Sequence, residues 1–490
     1  MTRTSLCATS PVVITLSKEL LHKTATEVAA LIESREVSPV ELTRSLLDHA
    51  HELNDSVNAY ISFRDEAALA EAKAAEEEIA QGNYRGPLHG VPMAIKDNIY
   101  IGGEVTTMAS RIHGDFVSKD DSSVVKKLRE AGAVITGKLN MHEYAWGIDN
   151  NSPHFGAVHN PWNLDKVPGG SSGGSGAAVA ADMSFTTLGT DTAGSIRIPS
   201  AACGLVGLKP THGRVAKYGC FPLAWSLDHI GPMSKSVADA AATLQAIAGH
   251  DHRDPTSVDV PVADYSAALG GDPKGLVIGV EEDYFFRDVD SPIEELVRKQ
   301  IEELVSRGAK LKKVSIPALA YSEWTELATS LSEASAIHHH DLQNRPEDLG
   351  ADIRFLFELG ELFSSVDYLQ AQQVRRQIKQ EFTAALQDVD VIIAPTLPVM
   401  APDIGSSVAN LNGAETDLID SFIRFTGPSN LTGLPALTVP VGLSDDLPVG
   451  LQIIGRAFDE ATVLKVGSQI EATNPMQGRR APVGARALTR

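Results

Sequence analysis

The segment Pro168-Gly-Gly-Ser-Ser-Gly-Gly-Ser-Gly176 runs directly into Ala177-Ala-Val-Ala-Ala181, and a second turn of small residues follows at Gly189-Thr-Asp-Thr-Ala-Gly-Ser-Ile-Arg-Ile-Pro199. A Gly/Ser-rich run can be a flexible linker. This one lies in mid-chain and opens what reads as a buried helix, so a linker fits poorly. A Gly-rich turn at a helix start can also hold phosphate. Neither GxxxxGK[ST] nor a GxGxxG between strand and helix is present, which leaves nucleotide binding a weak reading. The third reading is backbone held close to a reacting group, with Ser hydroxyls turned into a site. The second turn follows the apolar run Ser184-Phe-Thr-Thr-Leu188. A strand that ends in such a turn can aim consecutive N–H groups at one point, as an oxyanion hole requires. Ser195 closes that turn. Taken alone, a Ser in a Gly-rich turn is more often structural than catalytic.

Upstream, Gly90-Val-Pro-Met-Ala-Ile-Lys96-Asp-Asn-Ile99 places a lysine at the end of an apolar run. Lysine is rarely buried without a reason. In isolation Lys96 reads as a strand-end residue paired with Asp97 or another carboxylate. Further apolar runs bounded by Gly and Pro lie at 91–95, 133–136, 185–188, 276–280, 389–394, 436–441 and 451–454, and each suits a buried strand. Helical patterns lie between them at 122–131, 236–248, 292–307 and 368–386. The first 80 residues read as helices, with starts at Thr24 and at Ser38-Pro39 and an Ala/Glu-rich stretch over 65–81. The expected fold is therefore α/β: a single large mixed β-sheet covered by helices on both faces. The expected divisions are an N-terminal extension over 1–22, one catalytic domain over 23–473 and a loose tail over 474–490. Residues 275–400 read as a peripheral part of that domain, with its variable, substrate-side portion at about 280–370.

The composition narrows the function class. The formal net charge of −21 disfavours nucleic acid and anionic membrane as partners. Three cysteines, Cys7, Cys203 and Cys220, form no CxxC pair, so a disulfide framework or thiolate metal site is not expected. A reducing compartment, the cytoplasm, is the expected location. No run of 18 apolar residues reads as a membrane span, and the first residues lack the apolar core of a signal peptide. The run His338-His339-His340 has no carboxylate or Cys at ligand spacing and reads as a helix surface or pocket wall rather than a metal site. No metal or cofactor is expected.

Together the three elements resemble the amidase signature family of serine hydrolases. Lys96 stands 75 residues before Ser171 and Ser195 stands 24 after it, the usual spacing of that family. The flanks agree: Gly137-Lys-Leu-Asn-Met141, Asn160-Pro-Trp162, Cys203-Gly-Leu-Val-Gly-Leu-Lys-Pro-Thr211, Asp228-His-Ile-Gly-Pro232 and Asn430-Leu-Thr-Gly-Leu-Pro-Ala436. The resemblance implies that Ser195 is the nucleophile, that Ser171, preceded by Gly170 and a cis peptide bond, relays its proton, and that Lys96 is the base. It implies an oxyanion hole from the N–H groups of Thr192, Ala193, Gly194 and Ser195, with Ser172, Asp191 and Arg197 in support. Lys96 must then be neutral, which near pH 7.5 takes about 4 kcal/mol of differential solvation. Burial supplies the sign, and Asp97, on the opposite face of the strand, should point away.

A close relative within the family is the A subunit of the glutamyl-tRNA amidotransferase, which grips free glutamine with an Arg and an Asp. Those positions fall here at Phe355 or Leu356 and at Ile423, all apolar. A zwitterion site should not lose both charges. The expectation is a stand-alone amidase acting on a small-molecule amide, ester or carbamate, with a homodimer as a possible assembly. Tyr144, Trp225, Phe355, Ile423 and Phe425 are candidates to line an apolar pocket, each equally readable as core. The alternatives are the glutamine-hydrolysing component itself, or an inactive binding protein on the same fold.

Overall fold

The structure, a computed structural model, describes residues 18–476 and 478–483. The first part of the N-terminal extension, with Cys7, and the end of the C-terminal tail lie outside the described residues.

Eleven strands form one mixed sheet. In chain order they are β1 (Tyr60–Phe63), β2 (Pro92–Lys96), β3 (Val134–Leu139), β4 (Thr186–Asp191), β5 (Val206–Lys209), β6 (His229–Ser234), β7 (Val277–Val280), β8 (Lys310–Lys313), β9 (Val391–Pro395), β10 (Ala436–Ser444) and β11 (Leu447–Ile454). Their order across the sheet is β1-β3-β2-β4-β6-β5-β10-β11-β9-β7-β8. The β3-β2-β4 and β9-β7-β8 neighbours are parallel, and the pairings between β4 and β9 are antiparallel. β2, β4, β6, β9 and β11 are buried at every position, so both faces of the sheet are covered.

All seven apolar runs read from the sequence are strands. The four strands that carried no such signal explain themselves. β8 is Lys-Leu-Lys-Lys, exposed at each residue on the sheet edge. β6 contains Gly231-Pro232, a pair that argues against a central strand. β1 and β5 are only four residues long. Residues 275–400 are peripheral in a literal sense: β9, β7 and β8 close one edge of the sheet.

Strand alternation decides which face carries the chemistry. Met93 and Ile95 of β2 pack into the main hydrophobic core with Val124, Leu128 and Leu244. Ala94 packs on the other face, with Ala177, Ala178 and Leu53. Lys96 shares the parity of Ala94 and so faces the helix α1 (Gly173–Ala180). That helix lies tight against the strand ends. A Cβ added at Gly174 would stand 2.3 Å from the Asn140 carbonyl oxygen and 2.6 Å from that of Ala59. Gly174→Ala is therefore expected to destabilise the fold by about 1–3 kcal/mol through overpacking. A lowered thermal midpoint relative to wild type would report it.

Candidate active site

Lys96 is fully buried at the end of β2. Its Nζ lies 2.7 Å from Ser171 Oγ, 2.8 Å from Ser172 Oγ and 2.9 Å from Thr190 Oγ1. The directions of these bonds follow from their other partners. Ser172 Oγ donates to the Thr190 carbonyl at 3.2 Å, so toward Lys96 it accepts. Thr190 Oγ1 accepts from Asn98 Nδ2 at 3.2 Å and can accept from Lys96 as well. A neutral amine has two N–H donors and one lone pair. With both donors given to Ser172 and Thr190, the lone pair is left for the Ser171 proton. Burial pushes the Lys96 ammonium down to about 7, against the opposing pull of Cys220, Asp191 and Asp228. Asp97 does not contribute: its carboxylate pairs with Lys138 at 3.1 Å and accepts from Thr107 N at 2.9 Å. The Gly170–Ser171 peptide is cis.

The turn after β4 hangs on a buried ion pair. Arg197 Nη2 and Nε meet Asp191 Oδ1 and Oδ2 at 2.9 and 3.1 Å. Asn430 joins both, donating to Asp191 Oδ1 at 2.8 Å and accepting from Arg197 Nη2 at 2.6 Å. The Ile196 N–H donates to Asp191 Oδ2 at 3.1 Å, which closes the turn. Thr192 Oγ1 donates to Asp228 at 2.6 Å, and Thr426 Oγ1 donates to the Ala193 carbonyl at 2.5 Å. The backbone N–H groups of Thr192, Ala193, Gly194 and Ser195 make no hydrogen bond among the described residues. Gly194 has φ +140°, and a Cβ there would meet Thr426 Oγ1 at 2.3 Å, so only glycine serves.

Thr192, Ala193 and Ser195 open onto a cavity of about 580 Å³. Of the five pocket candidates Ile423 lines it; the four aromatic ones do not. Phe425 is core, packed edge-on against Phe285. Tyr144 is buried against His338 and Phe357. Trp225 opens on a different depression, beside Lys217 and Thr256. Phe355 is 62% exposed, and its neighbour Leu356 faces the cavity instead. One residue along a helix turns a side chain by about 100°, which separates the two. His338 is thus a core residue of helix α2 (Ser322–Asn344), while His339 and His340 are largely exposed. No group of metal-ligating side chains occurs among the described residues.

The polar wall carried no sequence signal. It includes Glu326 and Ser330 of α2, Asp352 of helix α3 (Ala351–Gly360), and His142, Asp149 and Asp417. His142 Nδ1 and Nε2 pair with Asp149 and Asp352 at 3.0 and 2.9 Å. Burial would lower the His142 pKa, but these two carboxylates hold it at about 9.

The sequence over residues 41–464 matches the family model Amidase. The chain belongs to the amidase family. Its similarity to other amidases extends over nearly the whole chain. The A subunit of the glutamyl-tRNA(Gln) amidotransferase of Moorella thermoacetica is 40% identical over 490 residues, covering 95% of this chain and 99% of the relative. Among solved structures, a vestigial protein complex tied to the evolutionary origins of an s-triazine catabolic enzyme matches with a TM-score of 0.89 and 32% identity, over 92% of this chain and 98% of that one. The native peptide amidase of Stenotrophomonas maltophilia matches with a TM-score of 0.82 and 31% identity, over 94% and 98%. Among the described residues no helix is long and apolar enough to cross a membrane.

Arg197→Met would leave Asp191 charged and buried without its cation. The expected loss is about 3–5 kcal/mol of stability, read by chemical denaturation.

Proposed function

We propose that this chain hydrolyses carboxylic amides through an acyl-enzyme on Ser195, with Ser171 as proton relay and Lys96 as general base. The observation that carries the reading is the buried Lys96–Ser171 contact, with the lysine held at about 7 and its donors engaged elsewhere. Ser195 Oγ forms a bond to the amide carbon as its proton passes to Ser171, whose own proton passes to Lys96. The carbonyl oxygen becomes an oxyanion, held by the N–H groups of Thr192, Ala193, Gly194 and Ser195. The C–N bond then breaks as the proton returns through Ser171 to the leaving nitrogen. Water repeats the sequence on the acyl-enzyme. Ser195 lies at the cavity wall, and the mechanism requires its Oγ to come within hydrogen-bond reach of Ser171 Oγ during the reaction.

The 40% identity with glutamyl-tRNA(Gln) amidotransferase A subunits favours a second reading, glutamine hydrolysis for a partner. The cavity supports the stand-alone amidase instead. The positions of the glutamine grip fall by sequence at Phe355 or Leu356 and at Ile423; Leu356 and Ile423 line the cavity, and among the described residues no Lys or Arg lines it to meet an α-carboxylate. Ammonia release from aryl amides, alkyl amides and L-glutamine separates the two. Glutaminase activity that is fast and depends on partner proteins would overturn the stand-alone reading.

The mechanism makes two further predictions. Ser195→Ala is expected to lose at least about a thousandfold in kcat while keeping its thermal midpoint. It should also lose labelling by a fluorophosphonate; normal turnover or labelling in this variant would refute the role of Ser195. Lys96 is active when neutral, so kcat/KM should rise with pH and level off above about 7. Below that point it should fall about tenfold per pH unit. Lys96→Ala should abolish this limb and regain part of its activity at high pH.

A further inference from the structure

We propose that Glu326 determines specificity by pairing with a cationic nitrogen of the substrate, so that the preferred amides carry an amino group and no carboxylate. This rests on the reading of the cavity as an amidase site. Glu326 lies on α2, in the wall of the cavity that Ser195 opens onto. It is 2% exposed, and its Oε2 has no hydrogen-bond partner among the described residues. A buried carboxyl without a partner opposes folding, so its retention in the wall needs a reason outside the free protein.

No neighbouring group bonds it among the described residues. Arg375, of the helix α4 (Ser365–Asp388), is the cation that acts most on Glu326. Four of its five N–H donors are placed elsewhere: Nε on the Leu431 carbonyl at 2.7 Å, Nη1 on Ser226 Oγ at 2.8 Å and Gln372 Oε1 at 3.3 Å, and Nη2 on the Ser226 carbonyl at 2.8 Å; none bonds Glu326. Glu333, Asp191 and Asp228 add negative charge. Burial pushes the free Glu326 carboxyl up to about 8, with Arg375 pulling the other way. An ammonium beside it would restore the carboxylate and donate a charge-assisted hydrogen bond to it.

The rest of the cavity points the same way. Its remaining carboxylates are Asp149, Asp352 and Asp417, and among the described residues its single basic side chain is His142. His142 Nε2 is hydrogen-bonded to Asp352 at 2.9 Å, and Nδ1 lies 3.0 Å from the Asp149 carboxylate. A ligand carboxylate would meet only the His142 imidazolium, which Asp149 and Asp352 already flank. A ligand ammonium would enter one with a carboxyl to spare.

Calorimetric titration of the Ser195→Ala protein with 5-aminopentanamide, pentanamide and L-glutamine tests this without requiring turnover. The amino-amide should bind about tenfold or more tightly than pentanamide, and glutamine should bind more weakly than the amino-amide. In Ser195→Ala/Glu326→Gln the ratio of the two amides should fall to near unity. Glu326→Leu, which removes a carboxyl that has no partner, should keep the fold and lose the same preference. Equal affinity of the two amides, a preference that survives Glu326→Gln, tighter binding of glutamine, or binding of none of the three overturns the proposal. Turnover by the wild type reports separately on Ser195 chemistry.

Discussion

Asp191 and Arg197 lie wholly inside the protein, and three otherwise separate parts of the chain meet on them. Asp191 ends β4, Arg197 begins the helix Arg197–Cys203, and Asn430 brings in the helix Gly427–Thr432 from far along the sequence. Burying two charges is unfavourable unless each finds several partners. Here the partners are backbone groups as well as side chains: the Ile196 N–H binds Asp191, and the Thr426 carbonyl binds Arg197. The pair therefore fixes the path of residues 192–195. Its hydrogen bonds consume the N–H of Ile196 and leave the N–H groups just before it pointing elsewhere. The shape of the cavity floor follows from that choice.

Lys96 meets the opposite requirement. It is as buried as Arg197 but has no carboxylate in contact. Hydroxyl groups surround it: Ser171, Ser172 and Thr190. Hydroxyls satisfy an amine's hydrogen bonds without stabilising its charge as an anion would, so desolvation prevails and the pKa falls. The nearest strand carboxylate, Asp97, is kept out of this balance by Lys138 on β3. Lys96 and Lys138 thus divide the work. One neutralises the carboxylate, and the other stays free to be neutral.

The sequence reveals elements where burial imposes a pattern and hides them where it does not. Most of the inner strands, β2, β3, β4, β9, β10 and β11, announce themselves as apolar runs because neighbours cover both faces. β8 is invisible because an exposed edge strand needs no apolar residues, and β6 because Gly231-Pro232 breaks the pattern while still fitting opposite Leu188 and Gly189. At the site, Lys96, Ser171 and Ser195 each allow an ordinary reading alone, and only their joint spacing with its flanks suggests a function. The cavity wall is harder. Aromatic residues are as useful in a core as in a pocket, and Phe425 and Tyr144 are in the core. Glu326, by contrast, looks in the sequence like any glutamate on a helix. What sets it apart is burial without a partner, which exists only once α2 is packed.

This difference follows the architecture. Of the groups assigned to the chemistry, Lys96 ends β2 and Ser195 lies in the turn after β4, where hydrogen bonds to neighbouring strands restrict the backbone, and Ser171 lies in the loop that opens α1 against them. A change there disturbs the sheet. The groups that shape the cavity come mostly from α2, α3 and the segment 405–423, which reach the site from outside the sheet. A helix surface accepts substitutions one side chain at a time, so leucine or isoleucine can stand where a charge would hold an amino acid's carboxylate or amine, and a glutamate can appear on another wall. Such a fold can keep its reaction while changing what it binds. On the proposed reading, the apolar Leu356 and Ile423 and the unpartnered Glu326 act together: one wall offers a carboxylate no partner, and another offers a cation a carboxyl.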